Sequence, residues 1–207
     1  MPTYSHQDIL QLERFFRVNL VNTASGIRSP YLIGTSDKDG NTNLAIFNSV
    51  VHIGAKPPAL GFIMRPHTVE RHTYENIKSS GVFTLNLVHS DIIENAHQTS
   101  ASYPRNRSEF ESCGFQEQYL QGFSAPFVQE CKLKMGLSLL EEHLIEFNQT
   151  ILLIGQIDHL ILPDSCVKQD GSIDHDRLNT VGVSGLYSYY DTQLNRQLDF
   201  VRPEKSS

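Results

Sequence analysis

Residues 43–66 read NLAIFNSVVHIGAKPPALGFIMRP, and the fold turns on them. The stretch predicts two β-strands, 44–53 and 59–64, joined by a corner at Gly54-Ala55-Lys56-Pro57-Pro58 and closed by Arg65-Pro66. The first strand is apolar except for Asn48, Ser49 and His52. Polar side chains in a strand otherwise destined for burial cost free energy unless something hydrogen-bonds to them. A polar ligand docked against the strand would supply those partners, so the segment marks a binding site as well as a piece of core. Asn48 and Ser49 are adjacent, and in a regular strand their side chains point to opposite faces. They could offer one side chain and one backbone edge to a flat ligand. The alternative is a bulge in which both satisfy the protein's own backbone.

Outward from this stretch, the pattern stays β-rich. Strands are predicted at 31–35 and 82–88, with the turn Asp37-Lys38-Asp39-Gly40-Asn41 leading into the strand at 44–53. Cys131, Leu133, Met135, Leu137 and Leu139 alternate with mostly polar residues, and 151–162 is an apolar run broken by Gly155, read as a bend. Residues 187–190 predict a further strand. Helical spacing of Ile9, Leu12, Phe15 and Phe16 predicts an N-terminal amphipathic helix over 7–18. Short helices are expected from Thr73, from Ser90 (as N-cap) to 101, and after Ser108, where Ser108-Glu109-Phe110-Glu111 has capping-box spacing and Gly114 stands at the exit. Strands punctuated by short helices predict a mainly β fold, a closed or nearly closed barrel with peripheral helices, as one domain over 1–207. Long helices do not alternate with the strands, which argues against a parallel doubly wound sheet.

The 207 residues carry a formal charge of −6, with 39% apolar and 19% charged residues, a composition typical of a globular domain. No Lys/Arg stripe supports a nucleic-acid partner. No apolar run reaches membrane-spanning length, and residues 1–16 lack the hydrophobic core of a signal. Cys113, Cys131 and Cys166 form neither a CxxC pair nor a zinc pattern, which suits reduced thiols. The expectation is a cytoplasmic protein without membrane or nucleic-acid partners.

Two further constellations carry chemistry. RPHTVERHTYENI, 65–77, sets Arg65 and Arg71, with Thr68 and Thr73, directly before a helix. Guanidinium donors beside free backbone N–H groups make a phosphate site without a glycine-rich loop. Against this stands a solvated loop whose arginines pair with Glu70 and Glu75. In FTLNLVHSDIIENAHQTSA, Asn86 interrupts an apolar strand, and His97 and Ser100 lie three apart on a helix. These could line a pocket mouth, or be a satisfied core asparagine and a surface histidine. No GxGxxG, Walker loop, HExxH or GxSxG occurs, no carboxylate pair stands out, and His67 and His72 lack the companions of a metal site.

The order NLAIFNSVVHIGAKPP, GFIMRP, RHTYENIKSSGVFTLNLV, AHQTSA and SEFESCGF resembles the flavin reductase-like family with the FMN-binding split barrel. The resemblance runs from 43 to 127 and more loosely to 190. It implies a homodimer with FMN near the dimer interface. Asn48, Ser49 and Val50 would lie along the isoalloxazine and ribityl chain, and Arg65, Arg71 and Thr73 would hold the phosphate, with Thr68 as the other threonine available. Asn86 would approach the ring from the neighbouring strand, with His97 and Ser100 nearby. The implied reaction is hydride transfer from NADH or NADPH to FMN and delivery of the electrons to a flavin or other acceptor partner. The flavin carries the hard chemistry, which fits the lack of a catalytic dyad. A flavin carrier or electron-transfer module, an oxidase of the pyridoxamine-phosphate type and a barrel for a non-flavin ligand are the competing readings.

Overall fold

In the computed structural model, which describes residues 1–202, seven strands form one antiparallel sheet. They are β1 (Tyr31–Ser36), β2 (Thr42–Phe47), β3 (Val51–Ala55), β4 (Pro58–Met64), β5 (Val82–Leu87), β8 (Lys134–Ile145) and β9 (Thr150–Ile161), with β6 (Glu117–Leu120) and β7 (Phe123–Val128) as a separate hairpin. The order across the sheet is β2-β1-β5-β8-β9-β4-β3. The two edge strands, β2 and β3, are therefore consecutive in the chain, linked only by Asn48, Ser49 and Val50. Six inter-strand spacings would separate them by about 29 Å in a flat sheet. Four Cα–Cα steps reach at most about 15 Å. The sheet must roll until its edges meet, and Phe47 of β2 packs edge-to-face on Phe62 of β4 at 5.2 Å. No ladder joins β2 to β3, so the barrel is split at this link.

The sequence had predicted one continuous strand over 44–53; the chain instead breaks at residues 48–50 and changes partners, from β1 to β4. The predicted N-terminal helix likewise divides into α1 (His6–Gln11) and α2 (Arg14–Ala24). Leu12 is extended, and the Glu13 carboxylate accepts from the N–H groups of Phe15 (2.8 Å) and Phe16 (3.0 Å), starting a new helix inside the apolar period. The helix expected from Ser90 is a 3₁₀ turn, Ser90–Ile92, running into α4 (Ile93–Gln98), and Ser90 caps neither. Ser108 does cap α5 (Glu109–Ser112), accepting from Phe110 N–H. The carboxylate beside it serves another purpose: Glu109 accepts from Leu44 N–H at 3.0 Å, pinning α5 to β2, and burial raises its pKa. Residues 117–128 were not anticipated as strands, because glutamate, glutamine, glycine and proline interrupt their apolar pattern. The last elements among the described residues are α6 (His175–Leu178), β10 (Val181–Ser184) and β11 (Ser188–Asp191), the final strand close to its expected place.

The barrel interior is filled by Ile33, Phe62, Phe83, Leu85, Leu137 and Leu153. A second cluster, including Leu32, Leu44, Phe110 and Val181, lies on the other side of β1 and β2, beneath α4 and α5. Gly155 sits in an unbroken β9 rather than at a bend. A Cβ there would lie 2.7 Å from Phe83 Cζ, and the irregularity opposite it belongs to β8, between Leu139 and Glu141. Gly34 is required for a similar reason: β7 crosses so closely that a Cβ would meet the Pro126 carbonyl oxygen at 2.2 Å.

Asn86 is fully buried at this crossing. Its Nδ2 donates to Leu32 O (3.0 Å) and Thr84 Oγ1 (2.8 Å), while its Oδ1 accepts from Val128 N–H (2.9 Å). Of the two readings of Asn86, the side chain here takes the core one: it joins β5, β1 and β7, and no surface of it is accessible. Asn86→Ala leaves a buried N–H and carbonyl without partners and is expected to destabilise the fold by roughly 2–4 kcal/mol in denaturant titration.

All three cysteines are buried and free. Burial raises the Cys113 and Cys131 thiols away from thiolate formation. The native protein is therefore expected to react negligibly with Ellman's reagent, and the full cysteine complement to appear only on denaturation.

Candidate functional site

Asn48, Ser49 and Val50 form the three-residue link and are each half-buried. Their side chains diverge, as alternation suggested, although the segment is no strand. Asn48 Nδ2 donates to Gly185 O at 2.7 Å, in the turn between β10 and β11. Ser49 Oγ accepts from Ile63 N–H and donates to Ile63 O, both at 3.1 Å, fastening the link to β4. Those contacts anchor both polar side chains within the protein and fix the link's conformation. They also place Ser49 against the end of β4, two residues before Arg65.

From Arg65 the chain loops to Arg71, which precedes α3 (His72–Ser80). Arg71 gives α3 no side-chain cap, so the first-turn N–H groups lack that protection. The competing arrangement, in which these arginines pair with Glu70 and Glu75, does not occur among the described residues. Among the described residues neither Arg65 nor Arg71 has a carboxylate within ion-pair distance. Glu70 lies 3.7 Å from His72 instead, and Glu75 binds Arg105. Arg71 Nε makes a long contact, 3.4 Å, to Pro66 O. Thr73 is buried in the first turn, its hydroxyl accepting from Asn43 Nδ2 at 2.9 Å, whereas Thr68 is exposed in the loop.

His97 reaches the same region by a different path. Its Nδ1 lies 3.1 Å from the Tyr189 hydroxyl, and its ring meets Tyr187 and Tyr189 edge-on. Burial raises the Tyr189 phenol, which keeps it protonated as a hydrogen-bond partner. The β10–β11 hairpin thus touches Asn48 through Gly185 and His97 through its tyrosines, joining two residues 49 positions apart. Ser100 is exposed, beyond the end of α4, and makes only a backbone contact to His97 O. The structure therefore places Asn48, Ser49 and Val50 at the split, sets Arg65 two residues past the Ile63 that Ser49 holds and Arg71 further along at the start of α3, puts His97 against the adjoining hairpin, and leaves Asn86 inside the core.

In the sequence, Glu75 figures only as a partner of the neighbouring arginines, and Arg105 and the Gly185–Tyr187 turn are not singled out. Arg105 and Gly185 are brought in from far along the chain, and no local signal marks them.

The profile of the flavin reductase like domain matches residues 24–181. A proposed flavin reductase with a split barrel domain from Shewanella frigidimarina NCIMB 400 superposes with a TM-score of 0.93 at 43% identity, over 97% of this chain and 100% of that one. The fold is shared at lower identity with nitrilotriacetate monooxygenase component B from Bacillus cereus (19%, TM-score 0.83, 96% and 98% covered). It is shared also with an FMN-binding protein from Thermus thermophilus (15%, TM-score 0.73, 96% and 100% covered). With its sheet rolled and split at Asn48–Val50, and with the family profile spanning most of its length, this chain belongs to the flavin reductase-like family of split-barrel proteins.

Proposed function

We propose that the protein binds FMN at the split and reduces it with hydride from NADH or NADPH. The observation that carries this reading is the pair of guanidiniums without carboxylate partners among the described residues, Arg71 at the uncapped start of α3 and Arg65 two residues past the Ile63 that Ser49 of the polar link holds. Unpaired arginines and free helix N–H groups fit a phosphate dianion in charge and in donor number. The link supplies backbone groups of Asn48, Ser49 and Val50 along the edge of a planar ligand, with their side chains already anchored to Gly185 and Ile63. Such anchoring keeps the site ordered before binding and lowers the entropy cost of ligand capture.

Bound there, FMN supplies the two-electron chemistry, and the protein supplies orientation and access. Thr73 ties the first turn of α3 to β2 through Asn43. His97, held by Tyr189, and the exposed ring of Tyr187 border the side where a second planar substrate would arrive.

The wider setting belongs to the same proposal. Val51 and Ile53 on edge strand β3, and Leu144, Ile145 and Phe147 around the β8–β9 turn, are exposed apolar side chains. A second copy of the chain would cover such a surface, which supports a homodimer. Free buried thiols suit a reducing, cytoplasmic compartment. No helix among the described residues is long and apolar enough to cross a membrane.

Purified protein mixed with FMN under anaerobic conditions is expected to lose the visible flavin band on addition of NADH or NADPH. FMN binding without bleaching would replace the reductase by a carrier or oxidase, and no FMN binding would refute the site. Arg71→Ala is expected to raise the FMN dissociation constant roughly ten- to hundredfold while leaving riboflavin binding nearly unchanged, because riboflavin has no phosphate. Equal losses for both ligands would contradict the phosphate role.

A further inference from the structure

A carboxylate stands where the proposed phosphate site calls for positive charge. Glu75, in α3, lies between the Arg65–Arg71 loop and the segment that precedes α5. Its Oε1 accepts from Arg71 N–H at 3.2 Å and lies 3.0 Å from His67 Nε2, while its Oε2 binds the Arg105 guanidinium. The return bond, Glu75 N–H to Arg71 O at 2.9 Å, closes the same turn. His67 is further held by its ring contact with Tyr74, at 5.2 Å.

We propose that Glu75 is a positioning residue that fixes the phosphate loop by tying two points of that loop, His67 and Arg71, and the distant Arg105 to one carboxylate. The inference rests on the FMN reading given above and adds a residue that reading did not need. Residues 67–70 are exposed and form no strand or helix, so the loop depends on a few side-chain ties for its shape. Ordering such a segment at the moment of binding would weaken binding by the entropy it costs. Glu75 removes that cost in advance. It takes up the N–H of Arg71, the N-cap residue, and leaves the next N–H groups of α3 directed at an anion. Its charge would repel a phosphate if it stood alone. Paired with Arg105, it carries little net field, and Arg105 is drawn toward the site from 30 positions further along the chain.

The two physical effects of Glu75 oppose each other, so the sign of a mutation separates them. The experiment measures FMN and riboflavin dissociation constants by fluorescence quenching for the wild type, Glu75→Ala and Glu75→Gln. Glu75→Ala is expected to weaken FMN about tenfold or more and riboflavin by less than about twofold. Glu75→Gln keeps an oxygen for Arg71 N–H and is expected to fall between wild type and Glu75→Ala. FMN affinity unchanged or improved in Glu75→Ala would overturn the proposal, since the carboxylate would then act only as a repelling charge. Should Glu75→Ala fail to fold, Glu75→Gln decides alone: an FMN-selective loss supports the proposal and no loss overturns it. Wild-type protein that binds FMN and riboflavin equally would overturn the phosphate reading itself, whereas an FMN preference left undiminished by both substitutions overturns only the role of Glu75.

Discussion

Three residues cannot span a flat seven-stranded sheet, and the rest of the structure follows from that limit. Asn48, Ser49 and Val50 connect the two strands that stand at opposite edges, so the sheet rolls until those edges meet. Closure brings Phe47 against Phe62 and creates the interior that Phe83, Leu137 and Leu153 fill. It is incomplete, because the link turns from one partner strand to another and leaves no hydrogen-bonded ladder between the edges. The resulting seam has unpaired backbone beside half-buried polar side chains, a surface that a flat, polar-edged ligand can use.

The link is held open by two contacts made elsewhere. Ser49 grips the backbone of Ile63, which sets the distance to Arg65, and Asn48 grips Gly185, which brings up the C-terminal hairpin. The site is thus assembled from the seam, the loop after β4, the start of α3 and a hairpin from the far end of the sequence. Each contributes one kind of interaction: backbone edges, guanidinium charge, helix N–H groups and aromatic rings. On the proposed reading the chemistry resides in a bound flavin, and the chain supplies its surroundings.

Asn86 shows how two uses of a polar residue in an apolar strand can look alike in sequence. Both Asn48 and Asn86 interrupt hydrophobic runs, and both need partners. For Asn86 the partners are Leu32 O, Thr84 Oγ1 and Val128 N–H, supplied where β7 crosses β1 and β5. That crossing requires Gly34 and involves β7, whose strand character was hidden by proline and small residues. Asn48 differs only in standing where the strand ends, a fact decided by which neighbour each half pairs with.

The sequence by itself determined the β-rich class, the positions of most strands, the polar interruption at Asn48 and Ser49, and the arginines before α3. These depend on local periodicity and on residue types next to one another, which a chain carries wherever it is placed. Only the tertiary structure decided that residues 44–53 divide into two strands on opposite sheet edges, that Asn86 belongs to the core, and that Glu75 meets Arg105 rather than the neighbouring arginines. The physical reason is the same for each. Strand partners, buried hydrogen bonds and ion pairs between distant segments are set by how the whole sheet closes, and the geometry of closure is not written in any single stretch of residues.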